Sequence, residues 1–397
     1  MKKWIWESPQ YPNFKYQEQS FRDLLDNIEY NQNRLEILVK NETDKTLLNQ
    51  KIDILTDEIA DTSFIEGEIL QRISVRDSIK KRLDDNFDEF GKNYSTKQTD
   101  NLASLLLDTN LNKSPLTIQR LHGWHNCLFE GGYNGLYKIN IARFRKEEIE
   151  VVSGKIGKTK TYYQAIPFDR LEDSMEEFLH YCNHSTQNSY IKSALAHLWF
   201  VIIHPYDDGN GRIARAIADY LLPNKDIKLY SLSNQIKEHR KEYYEVLEKT
   251  TSYNDECDIS NWLQWHLKIT NLAIKKGINT LENIVKKTKF WDFYVQNNFN
   301  ERQKKVINKI LDIGEDNFKG NLNLRKYASI AKTDFETAKR DIDELIKLGC
   351  FKQEGKSYSM IPVIQSKEEL LLEMNKENKE RELKEEENNH NNVRTMQ

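Results

Sequence analysis

The chain has 397 residues, 38% of them hydrophobic, enough to bury a core and long enough for two or three domains. Lysine and arginine number 59 against 62 aspartate and glutamate, a formal net charge of -3, so no global positive field marks a binder of nucleic acid or membrane surface. Cys127, Cys182, Cys257 and Cys350 are too scattered for a disulfide framework or a paired metal site and are expected to be reduced core residues.

Met1 to Tyr16 carry a lysine pair but are broken by Glu7, Pro9 and Pro12, without the apolar run of a signal peptide. Phe21, Leu24, Leu25 and Ile28 share one helical face, and Ile52, Leu55 and Ile59, followed by Ile65 and Ile69, predict further helices. Ser63 with Glu66 three residues on fits a capping box at a helix start. Between Gly123 and Pro167, Val151 to Gly154 and Thr161 to Tyr163 flank a Gly-Lys-rich turn, a β-hairpin pattern. Helical signal resumes at Leu171, Met175, Phe178 and Leu179, then over Ser193 to Ile203 and Ile213 to Leu222, and through Tyr243, Leu247 and Trp262 to about Leu281. The longest apolar stretch, Ala194 to Ile203, is about half of the ~20 residues that cross a bilayer. It predicts a buried core helix in a cytoplasmic protein. From Glu301 the pattern is helix (Val306 to Leu311), helix (Arg325 to Ala331), helix (Phe335 to Leu348) and a small hairpin (Phe351 to Met360), which predicts a winged-helix module. The tail from Ser366 is rich in Glu, Lys and Asn and is expected to be solvated.

The segment His204-Pro205-Tyr206-Asp207-Asp208-Gly209-Asn210-Gly211-Arg212-Ile213-Ala214-Arg215 lies between two apolar helical runs. Pro205 disfavours the α region for His204, so the first helix should end at the histidine. Gly209 and Gly211 allow a tight loop with exposed N–H groups, and the next helix points its positive end into that loop, an anion cradle. Arg212 and Arg215, i and i+3, share a face and offer planar donors to phosphate oxygens. Asp208 supplies a hard oxygen ligand of the kind Mg²⁺ takes. His204, with an ordinary pKa of about 6.5, suits a general base.

This segment resembles the signature of Fic (filamentation induced by cAMP) domain proteins, with Tyr206 in place of the usual phenylalanine. The resemblance implies a mainly α fold: a Fic-type helical bundle with a β-hairpin flap, preceded by an N-terminal helical domain (1–95). The catalytic core and supporting helices would span 96–290, a C-terminal winged-helix domain 300–362 and a charged tail 366–397. It implies a protein adenylyltransferase using ATP with Mg²⁺, in which His204 deprotonates a target Ser, Thr or Tyr hydroxyl that attacks the α-phosphate. Asp208 would hold the metal, Gly209, Asn210 and Gly211 the α- and β-phosphates, and Arg212 and Arg215 the β- and γ-phosphates. Val151 to Pro167 looks like the family's flap, which seats the target by strand addition. Tyr162 and Tyr163 are its candidate contacts or ordinary strand aromatics. Tyr243 and Tyr244 resemble a pair lining the nucleotide pocket, or form a buried core pair. Thr62 to Glu68 is similar to the family's inhibitory motif, in which Glu66 would pair with Arg215 and block the γ-phosphate pose. Trp4 to Phe14 resembles an N-terminal domain attached to some bacterial Fic proteins. The partners implied are ATP and a target protein, itself included, with a homodimer compatible.

Rival readings are weaker. Gly154 to Thr159 is too short for a P-loop, and His197 with His204 has no third zinc ligand nearby. A DNA-reading winged helix is disfavoured because Asp334, Glu336, Asp341, Asp343 and Glu344 outnumber Lys339, Arg340 and Lys347 on the recognition helix. The fold also admits removal of AMP or transfer of another phosphate-containing group.

Overall fold

Apolar residues at helical spacing set the architecture of the computed structural model, which describes residues 3–361 apart from 41, 89–90, 135–136, 156–157, 225, 315–317 and 319–320. The tail from Ser366 and the tip of the hairpin lie outside the described residues. The chain divides into two units, 1–281 and 282–397.

In the first unit a short N-terminal segment leads into α1 (Arg22–Lys40), α2 (Asp44–Ile65), α3 (Arg72–Leu83), α4 (Lys97–Leu111) and α5 (Ile118–Leu128). Two antiparallel pairs follow, β1 (Tyr133–Asn134) with β2 (Tyr137–Lys138) and β3 (Glu150–Lys155) with β4 (Lys158–Gln164). Then come α6 (Leu171–His184), α7 (Ser189–Ile203), α8 (Asn210–Leu221), α9 (Leu232–Glu238), α10 (Arg240–Thr251) and α11 (Ser260–Phe293), of which the residues up to Leu281 fall in this unit. α7 is the central rod. It is buried on nearly every side from Tyr190 to Ile203, which explains its unbroken apolar sequence. α8 packs along it, and together they bring the loop 204–209 to the edge of the core.

The N-terminal segment is bound to this core by its aromatics. Trp4 meets Tyr163 edge-on at 5.5 Å, Phe14 meets Trp199 at 5.6 Å, and Trp6 Nε1 donates to the Gln164 carbonyl (2.8 Å). One expectation and one rival reading need correction. Ile69 does not continue a helix: it is exposed in the link after α2, because Gly67 has ended that helix with a φ of 87°. Ser63 and Glu66 form no capping box at a helix start, since they lie at the end of α2.

The second unit holds α12 (Glu301–Ile313), α13 (Leu324–Ala331), α14 (Phe335–Lys347) and the hairpin of β5 (Phe351–Glu354) and β6 (Ser357–Met360), with Leu322 bridging to Tyr358. Val306, Ile310, Tyr327, Ile342, Leu345 and Phe351 form its core. Asp341, counted above among the acids of α14, is buried and held by Arg302 through two bonds of 2.8 and 2.9 Å, so it adds no charge to the exposed face. Among the described residues no helix is long and apolar enough to cross a membrane.

Candidate active site

α7 ends at Ile203 and its C-cap, His204, adopts a left-handed conformation (φ 52°, ψ 60°), a position where glycine is usual. The His204 Nδ1 lies 3.2 Å from the Val201 carbonyl. A carbonyl only accepts, so Nδ1 carries the proton and Nε2 keeps a free lone pair. Burial, assisted by the Arg145 charge, lowers the His204 pKa to about 4 against the opposing pull of Val201, Glu66 and Asp208, so the ring is neutral near pH 7.

The loop is closed by side chains that bond its backbone. The Asn210 carboxamide accepts from the Tyr206 N–H (3.0 Å) and donates to the Tyr206 carbonyl (2.7 Å). It is thereby committed to the loop, and what Asn210 can offer a phosphate is its backbone N–H at the start of α8. Tyr206 is fully buried, stacked on His125 at 4.1 Å, and its hydroxyl, absent from the usual phenylalanine, meets His122 Nδ1 at 3.0 Å. His125 Nδ1 accepts from the Ala142 N–H (3.1 Å), which leaves Nε2 to donate to the Asp208 carbonyl (3.1 Å). Burial keeps that ring neutral, with a pKa of about 4. Arg145 Nε donates to the His204 carbonyl (2.9 Å). None of His122, His125 and Arg145 stands out in the sequence, because partners of backbone atoms leave no spacing to read.

The two arginines of α8 meet the end of α2. Arg215 Nη2 donates to Glu66 Oε1 (2.7 Å) and to the Thr62 carbonyl (3.1 Å), and its Nε donates to Thr62 Oγ1 (2.8 Å). Arg212 Nη1 donates to Glu68 Oε2 (3.1 Å), a contact that no motif in the sequence foretells. The end of α2 is a Schellman turn: the Glu68 N–H donates to the Ser63 carbonyl and the Gly67 N–H to that of Phe64, both at 3.0 Å. Carboxylates at a helix C-terminus oppose its dipole. Here Glu66 instead lies against the N-terminus of α8, so close that a Cβ on Gly211 would collide with its Oε1. Burial disfavours the Glu66 charge, yet Arg215, with Arg212 and Arg240 behind it, holds the carboxyl below its ordinary range. Arg215 is 1% exposed and the Glu66 side chain 35%, so the pair is buried on its arginine side, unlike a fully solvated surface ion pair of ~0–1 kcal/mol. Arg215 Nη1 and Arg212 Nε are buried without a hydrogen-bond partner, two donors left for a larger anion.

The remaining candidates are divided. Tyr243 is buried beside Arg215 with its hydroxyl 3.2 Å from His197 Nε2, while Tyr244 is half-exposed and donates to the Ile65 carbonyl (3.1 Å), gripping the end of α2. Tyr163 is a buried anchor whose hydroxyl donates to the Ile202 carbonyl (2.7 Å), and Tyr162 sits at the bulge that faces Val151 and Val152. Asp208 accepts from the Asn134 side chain and from the Gly209 N–H, both at 2.6 Å, at the rim of the cradle. Among the described residues no three His, Cys, Asp or Glu form a metal cage. One carboxylate beside a phosphate seat nevertheless fits Mg²⁺, which takes one or two carboxylates and completes its shell with phosphate oxygens and water. Together these groups can seat a polyphosphate on α8 and receive a proton at His204 Nε2.

Parts of the chain match known families. Residues 115–222 match the Fic/DOC family model, and residues 4–84 match a domain of unknown function, DUF4172. A uridine 5'-monophosphate transferase from Xanthomonas campestris pv. campestris is 30% identical over 117 residues, 28% of this chain and 21% of that protein, so the chain matches about a fifth of its length. A Fic family protein from Desulfovibrio desulfuricans has the same fold, with a TM-score of 0.53 at 16% identity over 89% of this chain and 99% of that one. A Fic domain containing signaling protein from Bacteroides thetaiotaomicron gives 0.48 at 15% identity, over 64% of this chain and 97% of that one.

Proposed function

From the Fic/DOC family domain that the chain carries at residues 115–222, we propose that this protein is an adenylyltransferase, moving AMP from ATP to a Ser, Thr or Tyr hydroxyl of a target protein and held inactive by Glu66. The observation that carries this reading is the Glu66 carboxylate on Arg215 at the N-terminus of α8: an anion seat filled by an anion of its own chain. With Glu66 withdrawn, the β- and γ-phosphates take Arg212, Arg215 and the first N–H groups of α8. The target hydroxyl attacks the α-phosphorus, the bond to the β-phosphate oxygen breaks, pyrophosphate leaves, and the hydroxyl proton passes to His204 Nε2. Mg²⁺ held by Asp208 would neutralise charge on the phosphates. With Glu66 in place, Arg215 is denied to the γ-phosphate and the α-phosphorus is misaligned.

Incubating the protein and its Glu66→Gly variant with Mg²⁺ and each of ATP, CTP, GTP and UTP, then measuring intact mass, tests this. One AMP per chain, from ATP alone and far more in the variant, is expected. A gain of UMP instead favours a second reading, uridylyl transfer, for which the similarity to the Xanthomonas protein speaks. No adduct from any nucleotide on the protein or on added cell extract removes both. In the second unit, three helices followed by a hairpin have the element order of a winged helix, and we read it as a protein-docking module.

A further inference from the structure

Arg145 belongs to none of the segments that the sequence marks, yet its side chain is 4% exposed and joins three of them. Its Nε donates to the His204 carbonyl (2.9 Å), Nη1 to that of Glu147 (2.8 Å), and Nη2 to those of Ile166 (2.6 Å) and Ile203 (3.4 Å). Its own N–H donates to the Pro205 carbonyl (2.9 Å). Glu147 precedes β3 and Ile166 follows β4, so these two carbonyls are the roots of the hairpin, while Ile203 to Pro205 form the turn that carries the base. The roots are also joined to each other by the Ala165 N–H on the Ile149 carbonyl (3.1 Å) and to α7 by Tyr163 on Ile202. Only a planar fork with five N–H donors spans such a set; an ammonium has three donors at one point. A left-handed non-glycine residue such as His204 persists only where its surroundings impose that conformation. Here the ring is held from one side by Val201 and the carbonyl from the other by Arg145.

We propose that Arg145 is the positioning residue of the base: it fixes the turn at His204 and ties that turn to both roots of the β3–β4 hairpin. A hydroxyl seated on the hairpin and the Nε2 that takes its proton then share one frame. This rests on the reading of His204 as base and of the hairpin as the seat of the target. Arg145 makes none of its bonds to the phosphate cradle, so its effect falls on the reacting geometry and not on nucleotide affinity.

The test compares Arg145→Met and Arg145→Lys with His204→Ala, each in the full chain carrying Glu66→Gly. In Arg145→Met the kcat of AMP transfer is expected to fall about 10²-fold while KM for ATP stays within about twofold, the signature of a misplaced reacting group. Arg145→Lys, which keeps the charge but not the fork, recovers part of that loss. The ¹⁵N resonances of the His204 ring, assigned by their disappearance in His204→Ala, move from those of a single Nδ1–H tautomer toward the tautomer average. A folded Arg145→Met protein with unchanged kcat and ring resonances overturns the proposal. So does a rise in KM that matches the fall in kcat, or failure of both variants to fold, because the residue then serves the domain as a whole. Ring resonances that shift while the His204→Ala control still transfers AMP leave the positioning in place and overturn the assignment of His204 as base.

Discussion

The turn from His204 to Asn210 and the end of α2 from Thr62 to Glu68 both bend on a positive φ, 52° at His204 and 87° at Gly67, yet they are held by different kinds of partner. The turn is fixed by Asn210, His125 and Arg145, whose side chains bond its backbone. The end of α2 is fixed in large part by Arg212 and Arg215, donors that an incoming phosphate would also claim. One segment is built into the fold, while the other, on the proposed function, would compete with a ligand for its place. Losing the first should therefore end the chemistry, and losing the second should release it.

The largest effect is expected from His204→Ala. In a Glu66→Gly background, AMP incorporation should fall by ~10²–10⁴-fold while ATP affinity and melting temperature hold, because the cradle is mostly backbone and arginine. Transfer at the undiminished rate would remove His204 as the base. Next comes Glu66→Gly itself, expected to raise self-modification at least ~10-fold at saturating ATP, since it frees a desolvated arginine. Adding Arg215→Ala should abolish the gain; unchanged incorporation in the single variant would sink the inhibitory reading.

Glu68→Gln sharpens the comparison. Glu68 meets Arg212 through one bond of 3.1 Å, longer than the 2.7 Å of Glu66 on Arg215, so freeing Arg212 should raise incorporation only ~2–5-fold. A gain equal to that of Glu66→Gly would make the two carboxylates equivalent locks. The smallest effect concerns pH. With the His204 pKa lowered to about 4, its base form persists down to that value and is lost below it. The kcat of the Glu66→Gly protein should accordingly be flat between about pH 5 and 8, without a limb near the ordinary 6.5. A limb near 6.5 in the pH profile would place the reacting group elsewhere. The Glu66 carboxyl is also held low, so its clamp is present above the ordinary carboxylate range and is lost only as pH falls through its depressed value.

What could be read from the sequence follows from where the information lies. Pro205 announced the end of α7, and the spacing of Arg212 and Arg215 put both on one face of α8, because both are local backbone facts. The residues around Glu66 were ambiguous: Ser63 and Glu66 fit a helix start, whereas Gly67 at positive φ marks a helix end. A glycine at C′ is the mark of a helix end, and Gly67 occupies that position. Which of Tyr162 and Tyr163 faces the core depends on the bulge opposite Val151 and Val152, a register that alternation does not fix. Arg145 and His125 were out of reach because their partners are carbonyls and an N–H contributed by distant segments. Asp341 looked like surface charge until Arg302, from another helix, accounted for it.

The anchoring of α2 has a last consequence. Ile52, Leu55, Ile59 and Ile65 bury it in the first unit, and Lys237 and Asn234 reach its Asp61 at 2.6 Å. Glu66 thus meets Arg215 at an effective concentration that the fold sets and dilution does not change. If the contact inhibits as proposed, a signal acting on it would have no separate inhibitor to dissociate. It has to unwind or turn the last residues of a helix whose other turns stay packed, so the on and off states would differ by the path of a few residues around Gly67.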